Sequence, residues 1–192
     1  MKVILSLLSG LILLCSCNNS AEKTKETKID NTIDKSQLDT ANDAGLVEES
    51  EKLKASIEAM APSLQKQEIL LKDSKANASI KQKWMKMDVY RDSSGMIRRI
   101  KLYPHTGVSE RSEEFYYDKE ELFFVYIGDH GVATENNDEG KPGKEFHFSG
   151  SRLVKYDDNS GDSELNKEEE RKMYEASLPV EAKEYMEIAK NK

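Results

Sequence analysis

The sequence predicts an α+β domain: an antiparallel β-meander of about six strands, folded as three hairpins, with a helix before it and helices after it. Three observations predict this class. Apolar and polar residues alternate through consecutive runs only between Trp84 and Tyr156, as half-buried strands require. Two of the hairpins read as copies of one another. On either side of them, apolar residues recur at helical spacing instead.

In chain order, the first element is a leader. Met1 to Ser16 carries Lys2, an apolar run from Val3 to Leu14 broken only by Ser6, Ser9 and Gly10, and then Leu14-Cys15-Ser16-Cys17. The run is too short to span a bilayer as a helix. It resembles a bacterial lipoprotein signal, in which a small residue directly precedes the cysteine that is acylated. Cys17, preceded by Ser16, fits that pattern, whereas Cys15 follows the large Leu14. The resemblance implies lipidation at Cys17, removal of residues 1–16 and membrane attachment in the bacterial cell envelope, with inner and outer membrane left open. Cys15 leaves with the leader and Cys17 carries lipid, so no disulfide is expected and stability must come from packing.

Residues 17–44 are polar, rich in Lys, Glu, Thr, Asn and Asp, and without sustained periodicity, and they read as a disordered tether. A flexible segment of that length has an end-to-end distance on the order of 30 Å. The remaining residues, 45–192, form a single domain. Its first element follows from apolar residues at 46, 53, 57, 60, 64 and 71, a stripe that predicts a helix over 46–75. Pro62 lies inside it, so the helix is kinked or divides into two abutting helices. The stripe is read as the face that packs on the sheet.

The sheet is placed at 84–157. The strands of the first hairpin, Met85 to Arg91 and Met96 to Tyr103, flank the turn Asp92-Ser93-Ser94-Gly95. With four turn residues, Arg91 lies opposite Met96, and Met85, Met87 and Val89 face Leu102, Ile100 and Arg98. The other side then pairs Asp88 with Arg99, Trp84 with Tyr103 and Tyr90 with Ile97. A three-residue turn puts Met87 opposite Lys101 and Asp88 opposite Ile100, and the four-residue register is preferred. In the next two hairpins, Glu114-Phe115-Tyr116-Tyr117 followed by Leu122-Phe123 matches Glu145-Phe146-His147-Phe148 followed by Leu153-Val154. Asp118 to Glu121 corresponds to Ser149 to Arg152. Leu122 to Ile127 is apolar on both faces, which predicts an interior strand covered on both sides.

An aromatic pair, a short polar turn, then Leu and a second strand resembles the MORN-like β-hairpin repeats of bacterial envelope proteins, over roughly residues 84 to 157. The chain lacks the glycines by which a true MORN repeat is recognised: Gly95 and Gly150 occupy turns, whereas the second hairpin has Lys119-Glu120 there. The nearest likeness is to uncharacterised bacterial lipoproteins with a leading helix and such hairpins. It implies an architecture and no activity.

Two connections invite functional readings. Gly128 to Gly143 holds Asp129, His130, Glu135, Asp138 and Glu139, without the ligand spacing of a calcium loop. Asp157 to Asp162 partly imitates such a loop but has Asp162 where glycine is needed and Glu164 where an apolar residue belongs, so it reads as a polar connection. The last helical segment, 166–190, starts at the capping-box pair Asn166 and Glu169, with Glu168 to Glu170 at its positive end. Tyr174, Leu178, Ala182, Tyr185 and Ala189 form its buried stripe, and Pro179 predicts a division into two short helices.

Function is constrained more by exclusion than by motif. A net charge of -7 disfavours nucleic acid, whose phosphates need a basic surface. His105, His130 and His147 lie in separate segments, and no GxSxG, HExxH, P-loop or dinucleotide-binding glycine set occurs. The chain is therefore read as no enzyme, with neither metal nor cofactor. It is expected to bind an unidentified protein or glycan partner, and Trp84, Tyr90 and Tyr103, placed on one face of the first hairpin, form the candidate surface. The alternative is an envelope hydrolase using acids of the 128–143 loop with His130 or His147.

Overall fold

The computed structural model describes residues 35–105, 111–129, 143–159 and 167–192, all within one compact unit, Asp34–Lys192. Helix α1 spans Lys35–Met60 and ends in a 3-10 turn, Ala61–Ser63. Strand β1, Gln65–Leu70, follows, then the short helix α2, Ala78–Lys83, capped by Asn77, whose side chain accepts the Ile80 N–H at 2.9 Å. Six more strands run β2 Trp84–Arg91, β3 Ile97–Pro104, β4 Arg111–Asp118, β5 Glu121–Asp129, β6 Lys144–Ser149 and β7 Arg152–Asp158, before helix α3, Lys167–Lys190. All seven strands form one antiparallel sheet in sequence order, a complete meander. No helix among the described residues is long and apolar enough to cross a membrane.

The meander was expected, and its seventh strand was not. The helix predicted over 46–75 ends at Met60, because Pro62 cannot continue the hydrogen-bond ladder. The chain turns extended at Leu64 (φ -72°, ψ 135°), and residues 65–70 pair with β2, with Gln65 opposite Arg91 and Leu70 opposite Lys86. At the other end, helix begins at Lys35, inside the segment read as tether. Pro179 lies within α3 without dividing it, although its missing N–H leaves one rung of the ladder unmade. Asn166, the expected cap, lies outside the described residues.

Each hairpin carries one extra residue on its second strand, next to the turn. Tyr90 lies opposite Arg99 but Arg91 opposite Ile97; Tyr116 opposite Phe124 but Tyr117 opposite Leu122; His147 opposite Lys155 but Phe148 opposite Leu153. The bulged residues are Arg98, Phe123 and Val154, at equivalent places in the three units. This corrects the first register. The Asp92 N–H donates to the Met96 carbonyl at 3.0 Å and Gly95 N–H to the Asp92 carbonyl at 2.9 Å, so the connection is the three residues Ser93 to Gly95, with Gly95 at φ +86°. The bulge at Arg98 then moves the pairing by one more, setting Met87 opposite Leu102 and Val89 opposite Ile100. Apolar partners meet without the four-residue turn.

The helices cover opposite faces of the sheet. Under α3 lie Val89, Ile100, Phe115, Val125, Phe146 and Leu153, packed against Tyr174, Leu178, Ala182, Tyr185 and Ala189. Phe115 meets Tyr185 edge-on at 5.2 Å. On the opposite face α1 lies over the β5–β7 side, where Ile57 and Leu53 pack on Tyr116, Phe123 and Phe124. Burying both faces of β5 accounts for its unbroken apolar run.

Candidate functional site

On the α1-side face the helix packs chiefly over β5, β6 and β7, and the part formed by β1, β2 and β3 is polar by construction. Alternation places Lys66 and Glu68 of β1, Lys86, Asp88 and Tyr90 of β2, Arg99, Lys101 and Tyr103 of β3, and Glu114 and Tyr116 of β4 on this side. Their side chains interlock. Lys66 Nζ lies 2.7 Å from Asp88 Oδ2, Lys86 Nζ 2.6 Å from Glu68 Oε2, and Lys101 Nζ 2.9 Å from Glu114 Oε1. The Arg99 guanidinium lies 4.2 Å from the Tyr90 ring centroid, and the Lys86 ammonium 4.7 Å from that of Tyr103. Asp88 is fully buried beneath this layer. Burial, followed by the Asp88 carboxylate, pushes the Tyr103 phenol above its ordinary value, so it stays neutral.

Tyr90 and Tyr103 thus occupy the face expected of them, and Trp84 does not. Trp84 lies opposite Pro104 while Lys86 lies opposite Tyr103, so Met85 is an extra residue that turns Trp84 to the α3 side. There it is 1% exposed, and its Nε1–H donates to the Tyr185 hydroxyl at 2.9 Å. The candidate surface therefore consists of two tyrosines and their charged neighbours, without tryptophan. Asp88 and Arg99 were expected on the side of these tyrosines but with other partners, and were left out of the candidate surface, although Lys86-x-Asp88-x-Tyr90 and Arg99-x-Lys101-x-Tyr103 have period two. The β1 contribution was hidden because 65–70 was read as helix.

The histidines of the hydrolase alternative do not come together in a described site. His130 lies outside the described residues. His147 is 2% exposed under α1, its Nδ1 3.0 Å from Ser50 Oγ, and Ser50 donates its hydroxyl to the Phe123 carbonyl at 3.2 Å. The Ser50 hydroxyl thus lies between a ring nitrogen and a backbone carbonyl, on the buried side of α1 and 3% exposed, the setting of a packed polar pair. Burial, reinforced by Lys155, lowers the His147 pKa and keeps the ring neutral. His105 Nε2 lies 2.9 Å from the Lys81 carbonyl. Among the described residues no group of three or more His, Cys, Asp or Glu side chains is placed to hold a metal.

A second polar cluster, also unforeseen, lies on the α3 side. Glu113 is fully buried, its Oε1 2.5 Å from Arg111 Nη2 and 3.3 Å from Lys83 Nζ. Burial pushes this carboxyl up, and Arg111 and Lys83 oppose the shift. Lys83 also approaches Glu181 Oε2 at 3.4 Å, and the same oxygen accepts the Tyr185 hydroxyl at 3.1 Å. This network ties α2, β4 and α3 together through ion pairs. Cys17 lies outside the described residues.

Comparison with known proteins returns no family model, no curated protein and no solved structure that matches the chain. What the tyrosine face can do follows from its chemistry alone. Its carboxylates Glu68, Asp88 and Glu114 are each matched by a lysine, and cations lie against both tyrosine rings, an arrangement suited to recognition.

Proposed function

We propose that the chain is a lipid-anchored protein of the bacterial cell envelope, attached through acylated Cys17, whose domain is a non-catalytic module that binds a protein partner on the Tyr90–Tyr103 face. The observation that carries this reading is the pairing of rings with cations: Arg99 on Tyr90, and Lys86 and Lys101 on Tyr103. Stacked cations occupy ring faces that a sugar would need, which favours a protein over a glycan. Tyrosine and arginine are also the side chains that most often anchor protein interfaces. Ser16-Cys17 at the end of a short apolar leader supports the anchor.

Amine-reactive crosslinking in intact cells, followed by capture of the chain, tests both halves. The wild-type chain should fractionate with membranes and retain a specific partner, and Arg99→Ala and Tyr90→Ala should each reduce its recovery at least tenfold while Lys172→Ala leaves it unchanged. Cys17→Ser should release the protein or leave its leader uncut, whereas Cys15→Ser should do neither. Equal partner recovery in all three face and control variants would contradict the binding surface. A membrane-bound, leader-free Cys17→Ser chain would contradict the anchor.

A further inference from the structure

The two edges of the sheet are treated differently. At β7, Glu175 Oε1 accepts the Leu153 N–H at 3.0 Å and Arg171 donates to the Leu153 carbonyl at 2.8 Å, so α3 engages both outer backbone groups of Leu153. Arg152 is held to Asp43 of α1 at 2.7 Å. The other edge is β1, and among the described residues nothing pairs with its outer side. A bare edge is a template for another strand.

The residues along that edge are a palindrome. Leu64-Gln65-Lys66-Gln67-Glu68-Ile69-Leu70 reads the same in both directions once apolar is matched with apolar and cation with anion, apart from Gln65 and Ile69. We infer that β1 pairs with β1 of a second copy, antiparallel about a two-fold axis through Gln67. In that register Lys66 lies opposite Glu68 of the second copy, Glu68 opposite its Lys66, and Leu64 opposite its Leu70. Lys66, Glu68 and Leu70 project on the side that carries Tyr90 and Asp88, and Leu64, just before β1, packs against the α1-side cluster of that face. Leu70, 40% exposed in the single chain, acquires an apolar neighbour. Gln67 meets its own copy, and its amide can donate and accept across the axis.

Neighbouring registers are excluded by charge. Sliding the strands by two residues brings Lys66 onto Lys66 or Glu68 onto Glu68 at the axis, and like charges directly opposite are destabilising. A one-residue slide would oppose the tyrosine side of one copy to the α3 side of the other. Growth into a fibre would require β1 to add to β7 of the next copy, where α3 already engages the outer N–H and carbonyl of Leu153. The pairing is therefore isologous and closes at two, joining two seven-stranded sheets into one. It stands apart from the partner proposed for the tyrosine face, which it leaves uncovered.

Cysteine scanning of the full chain, with Cys15→Ser and Cys17→Ser and in detergent, tests the geometry. Residues opposite across an antiparallel pair have Cα atoms about 4.5–5.5 Å apart, within disulfide reach, whereas Gln65 and its copy would be about 14 Å apart. Gln67→Cys should give a covalent dimer on mild oxidation and Gln65→Cys should not. Sedimentation supplies an independent reading against the chain mass of 21.8 kDa. Gln67→Lys and Gln67→Glu should each self-associate roughly fivefold more weakly than wild type, while their mixture should associate at least as well as wild type. A chain that stays at monomer mass with no Gln67→Cys crosslink, or equal crosslinking at both positions, would overturn the inference. So would a mixture no tighter than either variant alone.

Discussion

Asp92 shows how much one side chain can organise. Its Oδ1 accepts from the Ser94 hydroxyl at 2.6 Å and from the Ser94 and Met96 N–H groups at 2.9 and 3.1 Å, while Oδ2 pairs with Arg98 Nε at 2.7 Å. Arg98, the bulged residue, also reaches Asp118 at 2.6 Å and so ties the first turn to β4. The Ser94 hydroxyl, then Arg98 and the two backbone donors, lower the Asp92 carboxyl to about 2 despite burial. A folded-state pKa below the unfolded one stabilises the chain above the unfolded value and ceases to do so as pH falls through the folded one. Asp92→Ala should therefore cost about 2 kcal/mol in urea unfolding at pH 7, a gap that narrows from about pH 4 downward. An equal gap at pH 7 and pH 2 would assign the loss to turn geometry and not to charge. The turn itself was legible in Asp-Ser-Ser-Gly; the bulge was not, because nothing in Ile97-Arg98-Arg99 marks which residue is extra.

At the scale of elements, the hairpins were readable and the helix boundary was not. Aromatic and aliphatic residues before and after each turn repeat closely enough to align, and the structure keeps the alignment down to the bulges. Residues 64–71 failed because Leu64 and Leu71 extend a helical stripe from Met60 as well as they bracket a strand, and six residues are too few for periodicity to decide. Only pairing with β2 settles it, and that contact is not local. The turns also differ in an instructive way. Gly95 and Gly150 take φ of +86° and +62°, whereas in the middle hairpin Lys119 and Glu120 carry φ of 48° and 68°, the left-handed pair that Asn-Gly adopts most readily. Lys119→Asn combined with Glu120→Gly should raise stability by roughly 1 kcal/mol. The lost Lys190–Glu120 pair, 2.8 Å but exposed, subtracts little. A lower unfolding midpoint in the double variant would show that this turn is not strained.

At the scale of the molecule, two helices cover a seven-stranded sheet unequally, α3 packing along one face and α1 on the β5–β7 side of the other. Alternation in β2 to β7 was sufficient to predict the layers, since each strand has to bury one side. The composition of the open face was legible only in part. Tyr90 and Tyr103 follow from period two, but a single inserted residue at Met85 sends Trp84 through to the opposite side, where Tyr185, 101 residues later in the sequence, accepts its N–H. The claim that the open surface is a tyrosine and charge lattice, with the tryptophan sealed in the core, rests on that bulge. Trp84 is the only tryptophan in the chain, so its fluorescence reports on this point alone. Emission should be blue-shifted and insensitive to iodide in the folded chain, becoming quenchable only on unfolding; red-shifted emission that iodide quenches in the folded chain would return Trp84 to the surface and contradict the account.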